Sequence, residues 1–377
     1  MFKLDKSEED RVLELHKKLP LVNASDMTSV VQIPTGQAHF DEKYIEKLRK
    51  GRVSIIHLSW LFWLFDNSYQ AVKRIYGMYK VLEKYKDDLA LITSYDSIEK
   101  AMVQGKIGVI MHSHNSSIID DDVELLSIFH KLGLRVMQLT YHGSNLVAGG
   151  CADRSSYGLT SFGVKVISEM NRLGILIDLA HVGYTAFMDT LEISKENVIY
   201  SHGGVHSLCK TRKERNLTDE QIKALAEKDG VMGIMAKPNA LNPRGREEGA
   251  TISDYMRHLE YVVKLVGVDY VGIGTKNAGW KTWDEAMESG RVVLKEFMAR
   301  FHDPKSPLLK LSIVPNSLSE KDWSPAVVEM RDSAKGLEDV SKLKLNLIIG
   351  LVNSGYSDQE IRKILGGNFL RVYRKIW

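Results

Sequence analysis

The strongest constraint on the fold is a regular alternation of short apolar runs with longer amphipathic stretches along the chain. Each run is short and mostly hydrophobic, which is typical of a parallel strand that is buried on both faces. Helical patterns lie between the runs, at Glu124–Leu132, Ser161–Leu173 and Leu217–Lys228, and the last of these contains a Thr-Asp-Glu-Gln capping box. The eight candidate strands are Leu19–Asn23, Val53–Leu58, Ile107–His112, Arg135–Thr140, Ile175–Leu179, Val198–His202, Val231–Ala236 and Tyr270–Thr275.

Eight strands interleaved with helices favour a single (β/α)8 barrel, a TIM-like barrel spanning residues 1–377, over a chain of two domains. We expect an N-terminal helix at about residues 5–18 and a largely helical C-terminal segment at about residues 283–377. Within that segment, Ser357 is predicted to cap a helix, and Gly366-Gly367 to break it before a last short helix. The segment from Trp280 to about Pro325 is predicted to lie over the barrel mouth as a lid.

The charge balance and the cysteine count exclude several classes of protein. There are 51 Lys+Arg against 48 Asp+Glu, and a net charge of +3 argues against a nucleic-acid partner. Cys151 and Cys209 are too few for a disulfide framework or a cysteine-rich zinc site. The N-terminus lacks a secretory apolar core, and the longest apolar stretch is shorter than the roughly 20 residues of a membrane span. We therefore predict a cytoplasmic protein with no membrane partner.

Five of the twelve histidines fall at the carboxyl ends of predicted strands, where barrel enzymes carry their catalytic residues. A histidine after a strand is either a hydrogen-bonded structural residue or a ligand, and the convergence of several indicates a ligand set. Imidazoles bind zinc well, and three protein ligands with one open position are typical of a catalytic zinc site. The five residues are His112, His114, His142, His181 and His202.

Three further polar residues are expected at the same rim of the barrel. Asp178 precedes His181 within an apolar run, where it either orients a ring or satisfies backbone groups. Arg215 lies in a basic loop after His202, and it either binds a substrate carboxylate or belongs to a solvated surface. Lys276 follows the eighth strand, as a general base, a charge partner or a bystander.

Five segments stand in order along the chain: RVMQLTYHGSN, GLTSFGVKVISEMNRLGILIDLAHVG, YSHGGVHSLCKTRKERNLTDEQIKAL, GVDYVGIGT and ILGGNFLRV. They resemble the membrane (renal) dipeptidase family of metallopeptidases, and the match runs from about Asn23 to Val372. The run from Gly158 to Leu225 is the most specific. The resemblance implies a distorted (β/α)8 barrel, two zinc ions and the hydrolysis of dipeptides, including some with a D-residue. It also implies a homodimer, since family members are often dimers.

Some functional positions of the family are matched and others depart from its pattern. The resemblance makes His181 and His202 ligands of one zinc and, with a two-residue insertion in the loop, makes Arg215 the ligand of the substrate carboxylate. The first-strand His and Asp ligands become Ser25 and Met27, with Asp26 one place out of register. The bridging glutamate, the substrate histidine and the catalytic aspartate align with His114, Tyr141 and Lys276 in turn.

Two hypotheses follow, because two +2 ions need the anionic ligands that this chain has lost. In the first, a single divalent metal, zinc, is held by His114, His181 and His202, with His112 as a fourth ligand or an orienting group. The substrate is then a small peptide-like or amide molecule with a carboxylate. It contacts Arg215, Tyr141 and Ser25, while Lys276, His142 or Tyr141 acts in catalysis.

In the second hypothesis the barrel has lost its metal. It then binds a peptide-like ligand, or carries out acid–base chemistry at a desolvated Lys276. A third class, a structural or partner-binding barrel, predicts a mouth filled with apolar side chains.

Overall fold

The computed structural model describes residues 4–26, 42–61, 67–153, 157–210, 215–276 and 333–377. The strands are β1 (Val22–Asp26), β2 (Ile55–Leu61), β3 (Leu89–Leu91), β4 (Ile107–Ser113), β5 (Leu134–Gln138), β6 (Leu176–Asp178), β7 (Val198–Gly203), β8 (Val231–Ile234) and β9 (Val271–Ile273). The helices of these ranges are α1 (Lys6–Lys18), α2 (Glu42–Lys50), α3 (Ser68–Lys84), α4 (Tyr95–Val103), α5 (Leu125–Lys131), α6 (Ser161–Leu173), α7 (Tyr184–Ile193), α8 (Asp219–Glu227), α9 (Pro238–Leu241), α10 (Gly245–Glu248), α11 (Ile252–Val266), α12 (Val340–Asn353), α13 (Asp358–Arg362) and α14 (Asn368–Ile376).

The strands form a closed parallel barrel, which confirms the predicted (β/α)8 fold. The sheet runs in the order β2-β1-β9-β8-β7-β6-β5-β4, and β2 pairs with β4 to close a ring of eight strands. The other edge of β4 pairs with β3 over residues 107–109 and with β5 over residues 111–113. None of the helices in the described ranges is both long enough and apolar enough to cross a bilayer.

Two strand predictions need correction. The first strand begins at Val22 rather than Leu19, because Leu19 still caps α1 through its backbone N–H and Pro20 has no N–H to donate to a sheet. Strand β3 was not predicted, and it lies at the edge of the sheet, where it pairs with β4. The later start of β1 places Ser25 inside the strand rather than in the loop after it.

The barrel interior is closed at the amino-terminal end of the strands by the last helix, α14. Alternate strand residues, among them Val22 and Ile110, share one buried cluster with Phe369 and Tyr373 of this helix. Gly272 of β9 allows this approach, because a Cβ there would lie 2.5 Å from the Phe369 ring. The helix therefore blocks one end of the barrel and leaves the carboxyl ends of the strands as the mouth.

The predicted break at Gly366-Gly367 is wrong. A π-helical turn at Lys363–Gly367 joins α13 to α14 without a left-handed residue, and Gly367 has a helical φ of −54°. Gly366 instead allows close packing, because a Cβ there would lie 2.9 Å from Val22 Cγ2 in β1. The Ser357 cap is confirmed by a capping box with Glu360. Residues 283–332 of the predicted helical tail, and all of the predicted lid, lie outside the described residues.

The lowered pKa values of two buried histidines predict that the protein becomes less stable in mild acid. Burial lowers the pKa of His57 well below its usual value and the pKa of His258 to about 4. The unfolded chain therefore takes up protons below about pH 6.5 that the folded protein cannot bind, and the free energy of unfolding falls as the pH falls. At pH 5 we expect His258 alone to account for a loss of about 2 kcal/mol.

Urea unfolding at pH 7 and pH 5 measures this loss. A His258→Asn variant is expected to show a smaller pH dependence than the parent protein. An unfolding free energy that does not change between the two pH values would contradict the prediction.

Candidate active site

The carboxyl ends of the strands bring the predicted polar residues together in one buried region. His114 follows β4, Tyr141 follows β5, His181 follows β6, and Lys276 follows β9, while His202 lies at the end of β7. Each of these five residues is at most 4% exposed. The mouth is therefore polar in its described part, which argues against a barrel filled with apolar side chains.

Three side-chain nitrogens meet at the centre of this region. The Nε2 atoms of His181 and His202 lie 3.1 Å apart. The Nζ atom of Lys276 lies 3.2 Å from His181 Nε2 and 5.5 Å from the centre of the Tyr141 ring. Lys276 therefore points into the site and is not a bystander on the rim.

A chain of hydrogen bonds determines which ring nitrogen of His202 carries a proton. Ser201 Oγ donates to Asp178 Oδ2 over 2.5 Å and lies 2.7 Å from His202 Nδ1. Because the single hydroxyl proton is already used, Ser201 Oγ must accept from Nδ1–H of His202. The Nε2 atom of His202 then carries a lone pair that faces His181.

Asp178 fills both roles considered for it. It accepts from the backbone N–H groups of Ala180 and Ser201, at 3.0 and 2.8 Å. Its Oδ2 also lies 3.1 Å from His112 Nε2, although this pair lacks the alignment of a hydrogen bond. This contact favours an orienting role for His112 over that of a metal ligand.

Burial and nearby cations keep the central imidazoles neutral. Burial is the main cause that lowers the pKa of His181 and His202 well below the usual imidazole value. The positive charges of Arg215 and Lys276 lower both further. The pKa of His114 is lowered in the same way, by burial first and then by charge on His112. A neutral imidazole offers the lone pair that a metal or a proton donor requires.

The backbone at two of these residues is strained. His181 has a φ of +70° and Lys276 a φ of +57°, in the left-handed region that non-glycine residues rarely adopt. Such conformations cost roughly 1–3 kcal/mol and cluster at functional sites. Backbone hydrogen bonds hold both turns: His181 O accepts from Cys151 N, and Lys276 N donates to Ser25 O, each at 2.9 Å.

Arg215 lies beside the histidine pair and is 3% exposed. Its Nη1 donates to Tyr200 Oη and to the carbonyl of His202, both at 3.1 Å. Tyr200 Oη in turn donates to the Arg215 carbonyl at 2.7 Å. These contacts hold the guanidinium at the mouth, so the Arg215 side chain is not part of a solvated surface.

The remaining predicted residues surround this centre at longer range. The ring centroid of His114 lies 5.4 Å from that of His202 and 6.5 Å from that of His181. Tyr141 stacks on His181 at 4.3 Å between ring centroids. The buried Ser25 Oγ has no hydrogen-bond partner in the described part of the chain. Asp26 accepts a 2.5 Å hydrogen bond from Tyr44 of α2, so its carboxylate is used there.

A second group of possible ligands adjoins the first, and the sequence did not single it out. His142, Cys151 and His181 each offer a ligand atom, and these atoms all lie within 4.8 Å of one another. In the sequence, Cys151 was considered only in the cysteine count. It lies far from His181 along the chain, so nothing in the sequence indicates that the two side chains are close. The Ser201 bridge was missed as well, although Ser201 directly precedes His202 at the same strand end.

Comparison with known proteins agrees with the fold and with the segments described above. The family model described as "Membrane dipeptidase (Peptidase family M19)" matches residues 7–304 and 330–377. An uncharacterised dipeptidase of Schizosaccharomyces pombe is 25% identical over 394 residues, which cover 97% of this chain and 80% of that protein.

Solved structures give the same result. An amidohydrolase from Pseudomonas aeruginosa is 26% identical with a TM-score of 0.77, and the match covers 97% of this chain and 99% of the other. A metallopeptidase from Rhodobacter sphaeroides, solved with a phosphinate mimic of the dipeptide L-Ala-D-Ala, is 17% identical and shares the fold, with a TM-score of 0.74 over 95% of this chain and 99% of the other. Since the family model spans most of the sequence, the chain belongs to the membrane dipeptidase family, peptidase family M19.

Proposed function

We propose that the protein is a hydrolase for a small peptide-like or amide substrate that carries a carboxylate, and that it works with a single divalent metal, zinc. The observation that carries the proposal is the pair of neutral imidazoles at the barrel mouth, with their Nε2 atoms 3.1 Å apart beside Arg215. Dipeptidases among the relatives of this chain support a peptide or amide bond as the bond that is cleaved.

The geometry of the histidine pair suits one ion. Two nitrogen ligands of a tetrahedral zinc ion lie about 3.3 Å apart, close to the separation of His181 Nε2 and His202 Nε2. The lone pair of His202 faces its neighbour, so a proton or a cation must lie between the rings. His114 is the third ligand in this proposal, and it has to move closer to the pair when an ion binds.

A two-zinc centre does not fit these residues. The positions that would supply anionic ligands are taken by Met27 and His114, and Lys276 brings a positive charge. Asp178 is already committed to Ser201 and to two backbone N–H groups. Two +2 ions at this mouth would therefore repel each other and Lys276 without a bridging carboxylate to offset them.

Other residues of the site orient the ligands and bind the substrate. When bound, a zinc ion supplies a polarised carbonyl or an activated water. Asp178 and Ser201 hold the ring of His202, and Arg215 offers its guanidinium to the substrate carboxylate. Tyr141 and the half-buried His142 lie on the outer side of His181, where they can contact the substrate or exchange a proton with it.

Metal analysis and a substrate panel test the proposal together. We expect close to one equivalent of zinc in protein purified without chelator, and hydrolysis of dipeptides or N-acyl amino acids. The panel should contain L-Ala-L-Ala, L-Ala-D-Ala and matched peptides with an amidated C-terminus. Two equivalents of metal, or equal rates on the amidated peptides, would contradict the proposal.

One observation favours the metal-free alternative. The Nζ atom of Lys276 lies 3.2 Å from the nitrogen that a metal would use on His181. A cation built into the chain at this position stabilises a bound carboxylate or a developing negative charge without an ion. Protein that binds no transition metal on titration, yet still binds a carboxylate ligand, would establish this second function.

Replacing Lys276 separates the two functions. If the site binds a single metal, Lys276→Ala removes a positive charge close to His181 Nε2. Metal affinity is then expected to rise by at least about tenfold. Without a metal, the same variant loses carboxylate binding instead. Isothermal titration with zinc and with a dipeptide distinguishes the outcomes, and Lys344→Ala, a buried lysine of α12, is the matched control.

A further inference from the structure

We propose that Cys151, His142 and His181 form a second metal position, built around a thiolate, which competes with the His202 side of the site for His181. Nothing in the family resemblance assigns Cys151 a role. The inference rests on the proposed function only because the two positions share His181. A set of one thiolate and two imidazoles suits a thiophilic divalent ion such as Zn²⁺ or Co²⁺.

The three side chains already lie close together. Their ligand atoms are all within 4.8 Å of one another, and the ring centroids of His142 and His181 are 4.8 Å apart. In a tetrahedral zinc site a sulfur and a nitrogen ligand lie about 3.5 Å apart, so binding requires shifts of roughly 1 Å, which side-chain rotation supplies. Two imidazoles and one thiolate leave a fourth position open.

The backbone holds this group in place before any ion binds. Cys151 N donates to the carbonyl of His181, and Ala152 N donates to the carbonyl of His142, both at 2.9 Å. Gly150 allows the segments to approach, because a Cβ there would lie 2.5 Å from the His142 carbonyl oxygen. The three ligands are therefore preorganised on paired segments rather than gathered by chance from mobile loops.

His181 has a ring nitrogen available for this position. Its Nε2 faces His202 and Lys276, whereas its Nδ1 is buried with no hydrogen-bond partner among the described residues. A buried polar atom without a partner is costly, and coordination at Nδ1 would satisfy it. A neutral imidazole has one lone pair, so coordination at Nδ1 leaves the proton on Nε2, and His181 then cannot bind an ion on the His202 side. Cys151 is 5% exposed and His142 is half-buried, so an ion would reach the thiolate from the His142 side.

Cobalt spectroscopy tests the inference, because a thiolate ligand gives Co²⁺ an intense charge-transfer band in the near ultraviolet. We expect this band on titration of the full chain with Co²⁺ alone. It should disappear in Cys151→Ser and in His142→Ala, and it should remain in Cys209→Ser, which replaces the other buried cysteine. We expect the affinity for Co²⁺ at the thiolate position to fall at least about tenfold in Cys151→Ser.

The His202→Ala variant separates this inference from the proposed function. It should keep the thiolate band, and the band should strengthen because competition for His181 is removed. A band that persists in Cys151→Ser, or Co²⁺ bound without any thiolate band, would overturn the inference and leave the single-metal proposal standing. Absence of Co²⁺ binding in the parent protein would overturn both.

Discussion

His181→Ala is expected to reduce bound metal to background and to lower kcat/KM for a dipeptide by about 1,000-fold or more. His181 provides the nitrogen that lies between His202 and Lys276, and it also belongs to the group with His142 and Cys151. Its removal therefore destroys both candidate metal positions, whereas any other single ligand removes only one. Metal analysis and steady-state kinetics on the purified variant measure the two effects.

The control for this variant is His130→Ala, which removes a histidine from α5 far from the mouth. It should keep both its metal and its activity. Thermal melting of both variants shows whether the fold survives, because alanine at position 181 also changes a residue with a φ of +70°. Full metal content in a folded His181→Ala variant would exclude His181 as a ligand.

Arg215→Met is expected to raise KM for substrates with a free carboxylate by about 100-fold, because two charge-assisted hydrogen bonds are worth roughly 3 kcal/mol. For peptides with an amidated C-terminus, KM should change little, since they offer no anion to the guanidinium. Steady-state kinetics on matched acid and amide substrates gives this comparison directly.

The Arg215→Met variant needs controls, because Arg215 also contacts other residues of the site. Its guanidinium holds Tyr200 Oη and the His202 carbonyl, so part of any loss arises from a displaced histidine. Arg215→Lys keeps the charge but not the paired donors, and it should recover only part of the affinity. Arg244→Ala, on an exposed arginine, should have no effect. An equal loss on acid and amide substrates would contradict carboxylate binding.

Much of the fold could be predicted because the hydrophobic pattern is local. Helix α6 has the predicted bounds, and the capping box at Thr218 starts α8 as expected. The errors fall where tertiary packing overrides the local signal. Gly366 lies in a continuous helix because β1 packs against it, and β3 exists because part of one edge of β4 is not covered by β5.

The site could be predicted in part, for a similar reason. His181 and His202 follow strand ends, and parallel strands bring their carboxyl ends to one rim, so their meeting was expected. The sequence could not show that Lys276 Nζ points at His181 Nε2, since side-chain direction after a strand depends on φ. Nor could it show that Asp178 acts on His202 through Ser201.

The sequence by itself determined the barrel, the family and the loss of the carboxylates that two zinc ions would require, because these depend on residue type and on order along the chain. Only the tertiary structure decided which side chains meet: the His181–His202 pair, the Lys276 ammonium beside it, and the adjoining Cys151 and His142. The physical reason is that ligand geometry depends on distances of a few ångströms between residues far apart in sequence, and barrel closure sets those distances.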